Sequence, residues 1–266
     1  VSDLLDREKI LVAMSGESRA QAQSLLVAVE TTSTQDDALA APTPRTGCAV
    51  FLAERQSAGQ GRRGRAWASP HAANLYMSLS RHFGNELAAL SGLSLVVGVV
   101  AAETLNVLAS RSRLIAVKWP NDLVADGRKL GGILISLRGA AEGGADAVIG
   151  IGINVRMPAQ AAHEIDQPWC DLSQLGYTDC SRNDLVAALL DRLLPALDQF
   201  ERDGLAPFLA RWQALDALAG KPVRILDGAR EHEGIFSGIT DAGALCLRQG
   251  ERDVIFHSGE VSLRTA

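Results

Sequence analysis

The chain has 266 residues, 47% apolar and 21% charged, which is enough to bury a full core and suits a soluble globular protein with one large domain plus a small one. Its net charge of −5 argues against general nucleic-acid binding, which leaves a basic footprint over a whole face, so any phosphate chemistry must be local. The four cysteines, Cys48, Cys170, Cys180 and Cys246, are scattered without a Cys-x-x-Cys pair and signal neither a zinc site nor a disulfide framework.

Residues 1–23 read as a polar, partly helical lead-in that opens on Val1. No charged-then-apolar secretory leader starts it, so the cytoplasm is the default expectation. Apolar runs of strand length follow at 24–29, 48–53, 74–79, 115–117, 130–137 and 147–155, interleaved with helical stretches. They predict a mixed sheet carrying packed helices. The most apolar segment, 87–102, is shorter than the roughly 20 residues a membrane-spanning helix needs and reads as a buried helix. Ser181-Arg182-Asn183-Asp184 resembles a capping box for an amphipathic helix over 183–200, which Pro195 should kink or restart. A further helix over 206–219 should end at Gly220. Beyond Lys221-Pro222 come five short β-type runs, 223–226, 233–239, 244–248, 253–257 and 261–263, with turn signals at Asp227-Gly228 and Asp241-Ala242-Gly243. That texture predicts a small barrel. The expected class is α+β, with a lead-in (1–23), a large domain (24–220) and a small C-terminal domain (221–266).

Chemistry concentrates in three places. Gly59, Gly61 and Gly64 formally satisfy G-x-G-x-x-G, but Arg65-Ala66-Trp67-Ala68-Ser69-Pro70 and another β-like run follow, where a dinucleotide-binding turn would open a helix. Four arginines, Arg55, Arg62, Arg63 and Arg65, crowd this loop and offer forked donors to carboxylate or phosphate. Their mutual repulsion and the glycines predict a loop that stays mobile until an anion arrives. Downstream, Lys118-Trp119-Pro120-Asn121-Asp122 and Lys129-Leu130-Gly131-Gly132-Ile133-Leu134 place two lysines and an amide–carboxylate pair beside a short turn, a layout suited to a phosphorylated carboxylate. Trp119 reads more readily as a core aromatic than as a ligand contact, and Asn154 could simply close a strand end. His71, His82, His163, His232 and His257 show no paired partner in the sequence and receive no catalytic role.

These segments resemble the biotin protein ligases. That family carries G-R-x-G-R-x-W, matched by Gly61-Arg62-Arg63-Gly64-Arg65-Ala66-Trp67, then K-W-P-N-D at 118–122, K-L-x-G-I-L at 129–134 and G-x-G-I-N at Gly150-Ile151-Gly152-Ile153-Asn154. Order and spacing agree from about residue 29 to the C-terminus. The resemblance implies a class II synthetase-like catalytic domain with a small SH3-like β-barrel. It implies an enzyme that uses ATP and Mg²⁺ to form biotinyl-5'-AMP and then biotinylates a lysine of the biotin carboxyl carrier protein of acetyl-CoA carboxylase.

Residue by residue, the resemblance implies that Ser33, Thr34 and Gln35 meet the ureido head of biotin, with Gln35 in place of the family's usual asparagine. Gln56, Gly59, Gln60, Gly61 and Arg62 match the biotin-contacting start of the loop. Gln60 stands where arginine is common, which points to its backbone as the contact. Gly132, Gly150 and Gly152 join Lys129 around biotinyl-AMP, with Lys129 bridging the biotin carboxylate and the α-phosphate. On the ATP side fall Trp67 (near the adenine), Arg65 and Lys118 (phosphates), and Asn121 and Asn154 (triphosphate or sugar). The catalytic set is Lys129, Arg62, Lys118 and Asp122, of which Asp122 would support Mg²⁺ or orient the acceptor lysine.

Many relatives add a DNA-binding helix-turn-helix, and too few residues precede the first core strand to hold one. The expectation is therefore a ligase with neither DNA nor membrane as a partner, and homodimerisation is left open. Two other readings compete: a lipoate protein ligase-like acyltransferase, and a non-catalytic effector-binding half of a repressor.

Overall fold

The computed structural model describes residues 3–108, 114–161, 165–177, 181–227, 230–257 and 261–265; His163, Cys180 and Gly228 lie outside them. Strands β1 (Ala22–Ala28), β2 (Cys48–Ala53), β3 (Leu75–Phe83), β4 (Ala116–Lys118), β5 (Asp122–Ala125), β6 (Arg128–Gly139) and β7 (Ala145–Ile153) form one sheet in the order β1-β2-β3-β7-β6-β5-β4. The β1–β2 pair is parallel and every other pair antiparallel. Both faces are covered, which is why β2 is buried along its whole length and reads as an unbroken apolar run.

On one face pack helices α4 (Leu93–Leu108) and α5 (Arg182–Asp203), together with the lead-in helices α1 (Arg7–Ala13) and α2 (Gly16–Gln21). The other face carries the short helix α3 (Thr34–Ala40), whose Ala38 joins Ala49, Phe51 and Val148 in a small separate cluster. The rest of that face is left to the functional cleft. The lead-in is more than a connector, because Leu5, Ile10 and Met14 are buried in the main core.

The apolar segment extends farther than its sequence suggested. A 3₁₀ turn (Leu87–Leu90) continues into α4, giving 22 residues of mean hydropathy 1.8 in the most apolar window, long and apolar enough by composition alone to cross a bilayer. Here it is a core helix, with Leu95, Val96, Val99 and Ala102 buried and its length packed against α5 and the sheet.

Two helix expectations need correction. Helix α5, capped by Ser181, runs unbroken through Pro195, which faces solvent, so water can take the carbonyl that loses its partner. The helix expected over 206–219 is a 3₁₀ turn (Ala206–Phe208) followed by α6 (Leu209–Ala214). It stops early because the Val117 N–H donates to the Leu215 carbonyl (2.8 Å) and the Ala217 N–H to the Val117 carbonyl (2.9 Å). Those bonds satisfy the exposed edge of β4.

Strands β8 (Pro222–Asp227), β9 (Arg230–Ile239), β10 (Leu245–Gln249), β11 (Arg252–Phe256) and β12 (Val261–Thr265) form a second, antiparallel sheet in the order β11-β10-β9-β8-β12, the SH3-like unit expected. Its buried Phe236 meets Trp212 at 6.2 Å between ring centroids. Trp119 is fully buried and donates its indole N–H to the Gly243 carbonyl (3.0 Å), so it is a core aromatic that joins the two sheets.

Candidate active site

The cleft is laid out by strand register. Phe51, Ser78, Gly150 and Leu134 form one row across four adjacent strands. Tyr76, Gly152, Gly132, Asp122 and Lys118 form the next. Side chains along a row share a face, so these residues stand together over the sheet. The resulting cleft is lined by Ser78, Leu134 and Gly150 of the first row, Tyr76, Gly132 and Gly152 of the second, the start of α3 and the arginine loop.

At its inner end the groups are neutral and bonded to one another. Ser33 caps α3, and Thr34 donates its backbone N–H to Gln56 Oε1 (2.9 Å) while its hydroxyl meets Ser78 Oγ (2.9 Å). Ser78 donates to Gln35 Oε1 (3.2 Å), and Gln35 Nε2 donates to Ser136 Oγ (3.1 Å) and the Val148 carbonyl (3.2 Å). The longer side chain at 35 therefore lies flat across β7. A Cβ at Gly150 would fall 2.5 Å from Gln35 Oε1, so only glycine admits it.

The arginine loop folds as a hairpin. Gly61 N–H donates to the Arg65 carbonyl (2.7 Å) and Trp67 N–H to the Gly59 carbonyl (2.8 Å), with Arg62–Gly64 in a 3₁₀ turn. These bonds, and Gln60 Nε2 donating to Asp36 Oδ2 on α3 (2.8 Å), offset part of the entropy and charge repulsion that disfavour order. Gln60 thus acts through its side chain as well as its backbone. Gly59 lies behind the cleft, where a Cβ would meet Ser69 Oγ at 2.6 Å.

Trp67 covers the second row. A Cβ at Gly152 would lie 2.7 Å from its indole, and Lys129 Nζ sits 5.5 Å from the ring centroid. Its buried indole N–H has no hydrogen-bond partner among the described residues. Lys129 pairs with Asp122 (2.8 Å), and Arg62 donates to Asn121 Oδ1 (3.2 Å), whose amide donates to the Ile133 carbonyl (2.8 Å). Burial, chiefly, and then the neighbouring Arg63 push the Arg62 pKa down, with Arg65 adding to this and Asp122 opposing it. A guanidinium held this way favours an arriving anion.

Five expected residues are not among those that line the cleft: Gly59, Arg65, Lys118, Asn154 and Asp122, the last paired with Lys129 at its edge. Arg65 is exposed, Lys118 sits one strand beyond Asp122 in the row, and Asn154 is buried, donating to the Cys170 carbonyl (3.0 Å) as a strand-closing residue would. His82, which had no partner in the sequence, pairs with Asp146 (2.9 Å) and neither lines the cleft. The sequence reading missed Tyr76, Ser78 and Leu134, which line the cleft, and Trp169, whose segment pairs in parallel with Lys129. A serine recurring on one face of an apolar strand, at Ser78 and Ser80, was the available signal.

Residues 27–154 match the Biotin/lipoate A/B protein ligase family and residues 219–264 the Biotin protein ligase C terminal domain. The chain is 34% identical to a biotin–(acetyl-CoA-carboxylase) ligase of Paracoccus denitrificans, covering 82% of this chain and 91% of that one. It belongs to the biotin protein ligase family. The bifunctional ligase/repressor BirA of Escherichia coli is 45% identical over 81% of the chain, which spans 66% of that relative's length. Among solved structures, a biotin protein ligase from Aquifex aeolicus in complex with biotin and ATP superposes with a TM-score of 0.77 at 26% identity, covering 92% of this chain and 100% of that one.

Proposed function

We propose that this chain is an ATP-dependent biotin protein ligase, with its chemistry in residues 24–220, the lead-in (1–23) packed behind them and the small domain (221–266) joined through Trp119. The observation that carries this reading is the pairing of a closed, neutral hydrogen-bonding end with a cationic end holding Lys129 and Arg62 in one cleft. A cyclic urea is uncharged and both donates and accepts, which suits Thr34, Ser78, Gln35 and Gln56. A carboxylate at the other end of the same molecule would meet Lys129.

In the first step a carboxylate oxygen of biotin attacks the α-phosphorus of ATP and pyrophosphate leaves. Lys129 and Arg62 stabilise charge on the transferring group, and positioning plus electrostatics supply the acceleration. The buried Trp67 N–H is a donor that an oxygen of the adenylate would satisfy. Asn121, held by Arg62 and Ile133, faces the same end, and Lys118 and Arg65 extend the positive field beyond it. Mg²⁺ would arrive with the triphosphate. Among the described residues no group of three His, Cys, Asp or Glu is placed to hold an ion, and Asp122 is the nearby carboxylate, which fits an ion bound mainly by phosphates and water. In the second step the neutral amine of the carrier's lysine attacks the acyl carbon, AMP leaves, and the ammonium proton is lost, a proton that Asp122, beside Lys129, would orient or accept.

Biotin-dependent ATP–pyrophosphate exchange, with lipoate and octanoate as controls, tests the reading. Exchange with biotin and transfer to a biotin carboxyl carrier domain are expected. Exchange with lipoate but not biotin would replace it with the lipoate ligase reading, and binding of biotinyl-AMP without exchange would leave an effector-binding domain.

A further inference from the structure

A buried ion pair lies outside the cleft. Arg182, the first residue of α5, donates to Glu54 Oε2 (2.8 Å), and both side chains are 5% exposed or less. Burying two charges costs desolvation that an apolar pair would avoid, so such a pair is weak evidence for stability and raises the question of what it positions.

Its partners answer that. Glu54 is the residue immediately before the arginine loop that starts at Arg55. The Glu54 carbonyl accepts from Ala72 N–H (3.0 Å) on the loop's return, and Arg182 Nη1 donates to the Asn74 carbonyl (3.2 Å) just before β3. One guanidinium therefore holds both chain ends from which the 55–72 segment springs. Glu54 N–H also donates to the Ala28 carbonyl (2.9 Å), at the end of the strand that leads to Ser33 and Thr34. The remaining valences go to the lead-in. Leu5 N–H donates to Glu54 Oε1 (2.5 Å), Arg182 Nε donates to the Asp3 carbonyl (3.0 Å), and the Asp3 carboxylate accepts from the Arg182 N–H (2.5 Å) and Ser181 Oγ (3.1 Å). Asn183 closes the ring, donating to the Leu4 carbonyl (3.0 Å) and accepting from Asp6 N–H (2.7 Å).

We propose that Arg182, Glu54 and Asp3 form a positioning network that fixes the base of the arginine loop, so that the seating of residues 3–6 sets how well the loop closes on the cleft. Its consequence for ligand affinity rests on the function proposed above; its consequence for the loop does not. A planar fork with several donors can reach Glu54, Asn74 and Asp3 together, which a lysine ammonium cannot do in one geometry.

The test uses three variants of the full chain: Arg182→Lys, Glu54→Gln and Asp3→Ala. Asp3 is only half-buried, so the last keeps a folded protein if the buried substitutions do not. Limited trypsinolysis without ligand reads the loop at the exposed Arg63 and Arg65, with the exposed Arg248 and Arg252 of the small domain as an internal reference. Cleavage in the loop should rise about tenfold over the reference sites, and the biotin KM about as much, because coupled positions of this kind shift equilibria by roughly that factor. Unchanged loop cleavage in Asp3→Ala, or a parallel rise at the reference sites, would overturn the proposal and reduce the network to fold stability. Selective loop opening with no biotin-dependent exchange in the unsubstituted chain would uphold the network and overturn the function instead.

Discussion

The two ends of the cleft are built on opposite electrostatic plans. At the inner end Thr34, Ser78, Gln35 and Ser136 satisfy one another, so the pocket is formed before any ligand arrives and costs little to keep. At the outer end Arg62 carries its charge against burial and two neighbouring arginines, and Lys129 is held by Asp122. Recognition of a neutral head group calls for prepaid hydrogen bonds, whereas stabilising charge that develops only during phosphoryl transfer calls for cations held at some cost. Arg182 sharpens the contrast, being more deeply buried than Arg62 yet matched with a carboxylate and carbonyls on every side.

If that division is right, damage at the outer end should fall on rate and damage at the inner end on binding and stability. The largest effect is expected for Lys129→Ala, which should cut single-turnover adenylation by about 10²–10³ with little loss of thermal stability, since one charge-stabilising contact is typically worth that much. A rate within a few-fold of the parent would remove Lys129 from the chemistry. Next comes Gly152→Ala. Its Cβ would lie 2.7 Å from the Trp67 indole, and overpacking of this kind costs about 1–3 kcal/mol, so single-turnover adenylation at saturating biotin should fall roughly tenfold or more. Gly132→Ala, where the nearest Trp67 atom is 3.5 Å away, should be nearly neutral, and equal losses in the two would mean that Trp67 does not rest on the sheet.

At the inner end, Gln35→Ala removes the amide partner of Ser136 and one of the two partners of Ser78, and should cost about 1–3 kcal/mol of stability in denaturant unfolding. It should also weaken biotin binding while leaving the rate from a saturated complex nearly intact. A drop in that rate as large as that of Lys129→Ala would erase the distinction between the ends.

The smallest effect provides a reference away from both. Burial pushes the Asp216 carboxyl up to about 6, against the hydrogen bond from Leu218 and the charge of Lys221, which pull the other way. The folded state thus holds a proton that the unfolded state has released, so this group's contribution to stability is present below pH ~4 and is lost as pH rises through about 6. Asp216→Asn should raise stability at pH 7 by roughly 1 kcal/mol, discounted for the part of the group in water, and by nothing near pH 4. No difference between the two pH values would show that the carboxyl is not desolvated.

Much of this could be read along the chain. The runs at 48–53 and 130–137, the small barrel and the spacing of Arg62, Asn121, Asp122 and Lys129 all follow local rules of period, turn chemistry and motif. β5 was missed because four residues between two turns carry no period of their own. The α6 boundary moved because an edge strand elsewhere needed partners. Tyr76, Ser78 and Leu134 were invisible for a related reason: nothing in a strand's own sequence says which rung of another strand it will meet.

The sequence by itself determined the chemistry on offer: forked cations in a glycine-rich loop, a lysine and a carboxylate seven residues apart, hydroxyls and amides after the first strand. Tertiary structure alone decided which of these act together. Register is a property of pairs of strands, so only folding could bring Asp122, Gly132 and Gly152 into one row, seat Trp67 on the last of them, and bind Asp3 to Arg182 across the chain. Each of those contacts is long-range, and its energy exists only once the intervening chain has given up its conformational entropy to the core.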